Sequence, residues 1–393
     1  AEPRLMPCRS GPRRGKSYPV DETRLDGNER ADLNECIDTN WISSRGPFVT
    51  RFERAFAAEA GAEFGVACAS GTAALHLTLA ALGLGPGDEV IVPAFTMVAT
   101  ANAVRYVGAT LKLVDSEPVH FNLDPDRVEA AITPRTKAIV AVHVYGHPAE
   151  MRRLLEIARA HGLHLIEDAA EAHGAEIGGR RVGGFGRAAA FSFYANKIVT
   201  CGEGGMVTTN DAHYERVVRR LRDHAFSPER HFWHEYVGFN YRMTNLQAAV
   251  GLAQTERLDA ITDARRRLRA FYDERLRSIP GVELPAEAPG VRSVFWMYAI
   301  RIRPAFGCNR DALRDELARR GVETRSFFIP MHFQPIYFAQ FRGQRFPVAE
   351  ALCESGLYLP TSETLGERDV NWICAQIADI HRLAAVGTAS AAS

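Results

Sequence analysis

A lysine directly beyond an apolar run is the residue with the clearest chemical potential in this sequence. Lys197 follows the run 190–193 (Ala-Phe-Ser-Phe) and precedes the glycine-rich turn 202–205 (Gly-Glu-Gly-Gly). Burial at a strand end disfavours the charged form of a lysine, and an unprotonated lysine forms Schiff bases and moves protons. The glycines let the backbone approach whatever Lys197 holds. The alternative is a lysine whose stem lies along the sheet while its amine reaches solvent.

A second segment places carboxylates at the end of another apolar run. Residues 165–168 read Leu-Ile-Glu-Asp. Ligands of open α/β sheets bind outside the carboxyl ends of the strands, so Asp168 lies where a ligand would be met. A carboxylate there could hold a proton on a heteroaromatic nitrogen and keep that nitrogen cationic. Asp168 could equally be a helix cap, because Asp is a favoured capping residue.

A third segment, 70–75 (Ser-Gly-Thr-Ala-Ala-Leu), opens a predicted helix after an apolar turn at 64–66. Ser70 can cap this helix, Gly71 allows close approach, and the free amides of a helix N-terminus bind anions such as phosphate. The alternative is an ordinary N-cap. Together the three segments supply a phosphate cradle, an acid for a ring nitrogen and a Schiff-base lysine, which a pyridoxal phosphate site requires.

These segments need a sheet that brings strand ends together, and the pattern between residues 48 and 209 predicts one. Short β-branched runs alternate with helical patterns, which is typical of a mostly parallel sheet covered by helices in an αβα sandwich. Phe52 and Phe56 lie four residues apart, which predicts a helix with a buried aromatic face. The predicted strands are 90–92, 111–114, 138–142, 163–166, 189–193 and 206–209.

The chain changes character after residue 244. A long arginine-rich helix is predicted at 245–277, and its solvated face would carry Arg265, Arg266, Arg267 and Arg269. A second pattern follows and predicts a smaller C-terminal α/β domain. Its predicted strands are 297–302 and 358–359, and its predicted helices are 310–320 and 368–381.

Four regions are predicted from these changes of pattern. They are a flexible N-terminal arm (1–26), a large cofactor-binding domain (27–255), a helix with the small C-terminal domain (256–384) and a disordered tail (385–393). The arm contains several arginines but no apolar stretch of the kind that follows the basic part of a secretory signal.

Composition narrows the class of protein. The chain is 46% hydrophobic and 24% charged, as ordinary globular proteins are. Its 47 basic and 47 acidic residues give a net charge of +0, so no overall field favours nucleic acid or anionic membrane. No apolar run approaches the ~20 residues of a membrane span. Seven cysteines without a C-x-x-C pair favour a reducing, cytoplasmic setting and no metal site.

Five segments resemble the sugar aminotransferases of the DegT/DnrJ/EryC1/StrS family. They are 70–75, 167–170, 191–193 with Lys197, 202–207 (Gly-Glu-Gly-Gly-Met-Val) and 238–245 (Gly-Phe-Asn-Tyr-Arg-Met-Thr-Asn). The resemblance extends from about residue 27 to about residue 383. It implies a fold-type-I enzyme that uses pyridoxal phosphate, acts as a homodimer with shared active sites, and transfers nitrogen from glutamate to a keto group on a nucleotide-linked deoxysugar.

The resemblance also implies a role for each cofactor-binding residue. Lys197 would bind pyridoxal phosphate covalently and move protons, and Asp168 would pair with the ring nitrogen. Phe95 would stack on the ring, and Asn240 would reach the phosphate of the neighbouring subunit. The residues expected around the phosphate within one chain are Ser70, Gly71, Thr72 and Ser192.

One residue departs from the family pattern. Glu171 stands where many relatives carry Gln beside the phenolic oxygen of the cofactor. A carboxylate that faced a phenolate would repel it unless the carboxyl group were protonated.

Within the family, four segments are most similar to the enzymes that convert GDP-4-keto-6-deoxymannose to GDP-perosamine. They are 41–49, 193–198, 238–245 and 330–337. The substrate contacts expected from them are Trp41, Ser43, Arg242 and His332. Simple burial is the alternative for Trp41, and packing beneath the C-terminal domain is the alternative for His332.

Two other functions remain open. One is an aminotransferase for a TDP-linked keto-sugar or a keto-cyclitol, which would share every cofactor residue. The other is a pyridoxal-phosphate-binding regulatory protein without turnover. Lys197 counts against the regulatory protein, because a pure binder needs no proton shuttle, and against a lyase branch of the family that carries His in place of the lysine.

Overall fold

The computed structural model describes residues 17–230 and 232–391, and its first half is built on one large sheet. Seven strands form this sheet in the order β1-β9-β8-β5-β4-β2-β3. The strands of this half are β1 Phe64–Cys68, β2 Glu89–Pro93, β3 Thr110–Val114, β4 Thr136–Val142, β5 His164–Asp168, β6 Glu176–Ile177, β7 Arg180–Arg181, β8 Ala188–Ser192 and β9 Gly205–Thr209. The strands β8, β5, β4, β2 and β3 run parallel, whereas β9 is antiparallel to both β8 and β1.

The mostly parallel sheet predicted from the sequence is confirmed, and each of the six predicted strands coincides with a strand of the sheet. The prediction of a turn at 64–66 is wrong, because this segment is the edge strand β1. Its central Gly65 lowers the strand propensity of the segment. The glycine is required by packing, since a Cβ atom there would lie 2.6 Å from the carbonyl oxygen of Glu53.

Helices lie on both faces of the sheet, and the strands are almost fully buried between them. Helix α2 carries the aromatic face expected from its sequence: Phe52 and Phe56 are buried, and each packs 4.8–4.9 Å, between ring centroids, from Phe193. The helices of this half are α1 Glu29–Asp38, α2 Pro47–Glu59, α3 Gly71–Ala81, α4 Val98–Tyr106, α5 Pro125–Ala131, α6 Met151–His161, α7 Ala212–Arg222 and α8 Asn245–Thr255.

A smaller antiparallel sheet forms the C-terminal part, as expected. Its strands follow the order β10-β12-β14-β13, and β11 joins β6 and β7 in a separate three-stranded sheet. The elements are α9 Leu258–Leu276, β10 Val282–Glu283, β11 Val291–Arg292, β12 Tyr298–Ile302, α10 Arg310–Arg319, β13 Arg325–Ser326, α11 Pro335–Phe338, α12 Pro347–Ser355, β14 Gly356–Leu359 and α13 Glu367–Ala391. The predicted domain boundary at residue 255 stays a prediction. Leu258 and Ile261 of α9, which lie just beyond it, pack into the core of the large sheet.

The single helix predicted at 245–277 is two helices, α8 and α9, which are separated at Glu256 and Arg257. The prediction that the arginines of this segment face solvent is also wrong for one residue. Arg265 is buried, and its guanidinium group donates hydrogen bonds to the backbone oxygens of Trp296 and Thr361 and to Asp21. The side chain therefore ties α9 to the C-terminal part instead of facing water.

Both predicted terminal regions are more ordered than expected where the structure describes them. Tyr18 and Val20 are buried; the Tyr18 amide donates to the Gly321 oxygen, and the Thr361 amide donates to the Val20 oxygen. The predicted flexible arm is therefore wrong for these residues, whereas 1–16 lie outside the described residues. Helix α13 continues to Ala391, which lies within the predicted tail 385–393. In the described ranges we find no helix with the length and apolarity needed to cross a membrane.

Candidate active site

A cavity of about 520 Å³ opens at the carboxyl ends of β4, β5 and β8 and is completed by residues of the C-terminal part. This is the edge at which open α/β sheets bind ligands. The lining residues are Ser70, Gly71, Thr72, Leu75, Thr96, Met97, Ala99, Val142, Asp168, Ala170, Glu171, Ser192, Tyr194, Asn196, Lys197, Glu203, Trp296, Met297, Arg325, Ser326, Phe328 and Tyr358. The three segments singled out in the sequence therefore meet in one place.

Lys197 lies in the loop that follows β8, with its amine inside the cavity. Its Nζ atom is 3.8 Å from the ring centroid of Trp296 and 3.9 Å from Oε1 of Glu171. The loop is fixed because the Trp296 indole N–H donates to the Asn196 oxygen at 2.7 Å. Burial lowers the pKa of Lys197, while the carboxyl groups of Glu171 and Asp168 oppose that shift. The lysine is therefore closer to the neutral, nucleophilic form than a lysine in water.

Asp168 is the last residue of β5, and its carboxyl group is held by two hydrogen bonds. The Thr100 hydroxyl donates to Oδ2 at 2.6 Å, and the Ala170 amide donates to Oδ1 at 3.2 Å. Burial raises the pKa of Asp168, and both hydrogen bonds oppose that shift. The alternative that Asp168 is a helix cap accounts only for the hydrogen bond from the Ala170 amide. The side chain also lines the cavity, where a cationic partner would stabilise its ionised form.

The N-terminus of α3 forms the opposite end of the cavity from the C-terminal part. The Ser70 hydroxyl caps the helix by accepting from the Ala73 amide at 3.1 Å. Gly71 lets α3 pack closely against β8. A Cβ atom at this position would lie only 2.5 Å from Cβ of Ser192. With Thr72, these residues line a pocket of hydroxyl and amide donors at a helix N-terminus, which suits a phosphate group.

Glu171 also faces the cavity, and its two oxygens have different neighbours. The Tyr145 amide donates to Oε2 at 2.8 Å, whereas Oε1 faces the amine of Lys197. Burial raises the pKa of Glu171 to about 7, Lys197 acts in the opposite direction, and Asp168 adds to the rise.

Phe95 does not reach the cavity, which corrects the stacking role expected for it. Its side chain is fully buried, with ring centroids 5.7–6.0 Å from Tyr145, Phe327 and Phe328. Met97 lines the cavity instead and is 51% exposed. Strand β2 ends at Pro93. Beyond it, side chains no longer alternate between the two faces of the sheet, so the sequence does not indicate which residue of 94–97 points to the core.

The expected substrate contact His332 is buried outside the cavity lining, which is also a correction. Its Nε2 lies 3.2 Å from Oε1 of Glu350, and its ring packs 4.8 Å from Phe346. Arg345 and the Phe346 amide hold Glu350 ionised and lower its pKa to about 2. The alternative of a packed structural histidine therefore describes this position.

The other expected contacts lie on the surface of the single chain. Trp41, Ser43 and Asn240 are exposed, and Arg242 forms an ion pair with Asp223. None of the four lines the cavity within the described residues. Their roles stay predictions that require a second chain.

Several cavity residues were not found from the sequence. Trp296, Arg325 and Tyr358 come from the C-terminal part and belong to no motif near Lys197. Arg325 and Lys197 are the two cationic side chains among the described lining residues. Tyr194, Asn196 and Glu203 could have been found, because they flank Lys197 and the glycine turn.

A buried lysine, an acid and a helix N-terminus meet at one edge of an αβα sheet, which is the arrangement of a fold-type-I aminotransferase. The chain belongs to the DegT/DnrJ/EryC1/StrS aminotransferase family, whose model matches residues 23–378.

Individual relatives agree with this assignment. The chain is 49% identical to a protein of Caulobacter vibrioides named GDP-perosamine synthase, over 90% of this chain and 95% of that protein. It is 42% identical to the dTDP-3-amino-3,4,6-trideoxy-alpha-D-glucose transaminase of Streptomyces venezuelae, over 84% of this chain and 87% of that protein. The crystal structure of S. venezuelae DesV superposes with a TM-score of 0.88 at 37% identity and covers 93% of this chain and 99% of its own. The predicted fold and enzyme class are confirmed.

Proposed function

We propose that this chain uses pyridoxal phosphate to transfer an amino group from glutamate to the keto group of a nucleotide-linked deoxysugar. The observation that carries the proposal is the position of the Lys197 amine in one cavity with Asp168 and the N-terminus of α3.

The residues of the cavity fit pyridoxal phosphate. The hydroxyl groups of Ser70, Thr72 and Ser192 line the cavity at the N-terminus of α3 and suit the phosphate, and Gly71 lets this helix end lie against Ser192. The buried Asp168 carboxyl group needs a cationic partner, which a protonated pyridine nitrogen would be. When bound, the cofactor supplies an electron sink for the carbon from which a proton is removed.

Lys197 performs the proton movements in this proposal. Its amine would hold the cofactor covalently, and the free amine would take a proton from one carbon of the bound substrate and return it to another. Burial lowers the pKa of Lys197, which makes the unprotonated form that a general base requires easier to reach than for a lysine in water. Trp296 and the loop bond to Asn196 hold Nζ in place.

Apolar walls keep water from the reacting atoms. Met97, Trp296, Phe328 and Tyr358 supply most of this surface. Exclusion of water strengthens the interactions of Asp168 and Lys197 with the ligand, because these charges are not screened by solvent.

GDP-4-keto-6-deoxymannose, converted to GDP-perosamine, is the first candidate among substrates. Its support is the 49% identity to GDP-perosamine synthase, against 42% to the dTDP-sugar transaminase. The test is a panel of GDP-, TDP- and UDP-linked keto-sugars offered with glutamate, with amino-sugar products measured by mass spectrometry. Amination of the TDP-linked sugar alone would favour the second candidate, an aminotransferase for TDP-linked sugars.

The covalent role of Lys197 has its own test. Borohydride reduction of the C=N bond should fix pyridoxal phosphate to the peptide that contains Lys197, and mass spectrometry of the digest should find it there. Glutamate alone should also convert the bound cofactor, and a change in the absorbance of the cofactor would measure this conversion. A label on another lysine, or a cofactor that glutamate leaves unchanged, would favour the regulatory protein without turnover.

A further inference from the structure

The two oxygens of Glu171 are not equivalent, and this difference determines where a proton can lie. The Tyr145 amide, which can only donate, points at Oε2 at 2.8 Å. The oxygen Oε2 is therefore an acceptor. A proton on this carboxyl group must lie on Oε1, the oxygen that faces the Lys197 amine at 3.9 Å.

The backbone that presents the Tyr145 amide is held in an unfavourable conformation. Tyr145 has a φ of 54°, in the left-handed region that side chains with a Cβ atom rarely adopt. Its ring is locked by Phe327 and Tyr358, with ring centroids 4.9 and 5.0 Å away, and the Val294 amide donates to the next carbonyl oxygen, that of Gly146. Such strain persists only where the surrounding packing enforces it, so the amide is a fixed donor at Oε2.

The charged and titratable groups around Glu171 come from four elements. Lys197 faces it from the loop after β8, and Asp168 faces it from β5. The phenols of Tyr145, in the short helical turn Val144–Gly146, and of Tyr358, in β14, also sense its charge. A single cation therefore faces two carboxyl groups in this buried region of the described chain, so both carboxyl groups cannot be ionised at low cost.

We infer that Glu171 works as a neutral carboxylic acid that donates a hydrogen bond from Oε1 to the ligand held on Lys197. The identity of that ligand rests on the function proposed above, whereas the proton on Oε1 is a property of the chain itself. A glutamine in this position would donate in the same direction at every pH. The glutamate instead loses its donor when it ionises, so the site acquires a dependence on pH that glutamine would not give.

The sign of this dependence follows from burial. Burial raises the pKa of Glu171 to about 7, above the value of the unfolded chain. The folded chain therefore retains a proton that the unfolded chain loses between about pH 4.5 and pH 7. Across this interval the wild-type chain loses stability relative to a variant that cannot ionise at position 171.

The first experiment compares thermal unfolding of the full cofactor-free chain with that of Glu171→Gln from pH 4.5 to pH 9. The melting temperature of the variant should rise relative to the wild type between pH 4.5 and about pH 7. Glu89→Gln is the control, because Glu89 is also buried but has a pKa lowered by its hydrogen bond with the Thr133 hydroxyl and by Arg135. Its difference from the wild type should not change above pH 5. A level difference for Glu171→Gln would overturn the proposal.

A second measurement uses the wild-type residue, in case Glu171→Gln does not fold. In a chain labelled with ¹³C-glutamate, infrared spectroscopy should show a protonated glutamic acid at pH 6 that disappears by pH 9. The label excludes Asp168, and the Glu363→Gln background removes another glutamate whose pKa burial raises. Absence of the band at pH 6 would overturn the proposal.

The loaded enzyme provides a third readout. The ratio of the wild-type rate with glutamate to the Glu171→Gln rate should fall from pH 6 to pH 9, because the neutral fraction of Glu171 falls about tenfold per pH unit above the pKa. Parallel profiles would contradict the donor role. An inactive wild type with the infrared band present would instead contradict the proposed function and leave the proton on Oε1 established.

Discussion

The Lys197 amine lies between the face of an indole ring and a carboxyl group. The Trp296 ring and, when ionised, the Glu171 carboxylate attract the ammonium form, whereas burial disfavours it. Since burial is the larger effect, the pKa of Lys197 lies below that of a lysine in water. Small changes in this cavity should therefore alter the chemistry more than the fold.

Asp168→Asn tests the acid expected at the ring nitrogen. We expect a folded protein that binds some cofactor but turns over more slowly by orders of magnitude, because a neutral amide no longer stabilises a cationic nitrogen. Steady-state rates and the cofactor absorbance measure the two effects. Thr100→Val, which removes the hydroxyl donor to Asp168 and the partner of the buried Thr96 hydroxyl, is the matched variant and should cause a smaller loss. Near-normal turnover in Asp168→Asn would show that the residue is only a cap.

Among the secondary-structure elements, α3 and β8 make the contact on which the site depends most directly. Here a helix N-terminus approaches a strand so closely that no side chain fits at Gly71. Gly71 and Ser192 both line the cavity at this contact. Backbone packing and ligand binding thus depend on one missing side chain.

Gly71→Ala should weaken both properties. The new Cβ atom would lie 2.5 Å from Cβ of Ser192, and an overpacked core contact of this kind costs about 1–3 kcal/mol. Urea unfolding and titration with pyridoxal phosphate measure the losses of stability and affinity. Gly85→Ala is the control, because the nearest atom to its Cβ would be 3.9 Å away. Equal behaviour of the two variants would show that α3 can move away from β8 at no cost.

Helix α9 provides a second test, through Arg265. Arg265→Met leaves Asp21 and two backbone oxygens without their donor, and loss of one partner of a buried pair costs about 3–5 kcal/mol. Arg267→Met on the same helix changes an exposed arginine and should be nearly neutral. Urea unfolding distinguishes them. Similar stabilities of the two variants would mean that water replaces Arg265 without loss.

The same elements show what the sequence could and could not predict. Asp168, Ser192 and Lys197 were found because apolar runs mark the strands, and the ends of parallel strands meet at one edge of a sheet. The burial of Arg265 was predictable in principle, since it lies at helical spacing with the apolar residues Ile261 and Leu268. The cavity residues Trp296 and Arg325 were not, because only the packing of distant elements brings them to Lys197.

At the scale of the whole molecule, the cavity of one chain lacks several expected contacts. Trp41, Ser43, Asn240 and Arg242 lie outside it, and the segment before Asn240 exposes Phe232, Trp233 and Val237. A second copy that covered this apolar surface would bring such residues to its partner's cavity. We expect the shared-site homodimer on these grounds.

Mixing two inactive variants tests the shared site. Lys197→Ala and Asn240→Ala homodimers should regain part of their activity when subunits exchange, because one of the two cavities in each heterodimer then has both residues intact. Lys197→Ala mixed with Lys197→Arg is the control and should stay inactive. Sedimentation confirms exchange. A Lys197–Asn240 mixture that stays inactive although heterodimers form would show that each site is contained in one chain.

The walls of the cavity also have a consequence for the order in which the protein is made. Lys197, Asp168 and Gly71 leave the ribosome early, but Trp296, Arg325 and Tyr358 follow up to 161 residues after Lys197. At 5–20 residues per second, the nascent chain carries its reactive lysine without the closing wall for roughly 8–32 s. Tyr18 forms a β-bridge with Val322, so it is without this partner for a longer time still. Stable capture of the cofactor should therefore be one of the last events of biosynthesis, close to or after release of the completed chain.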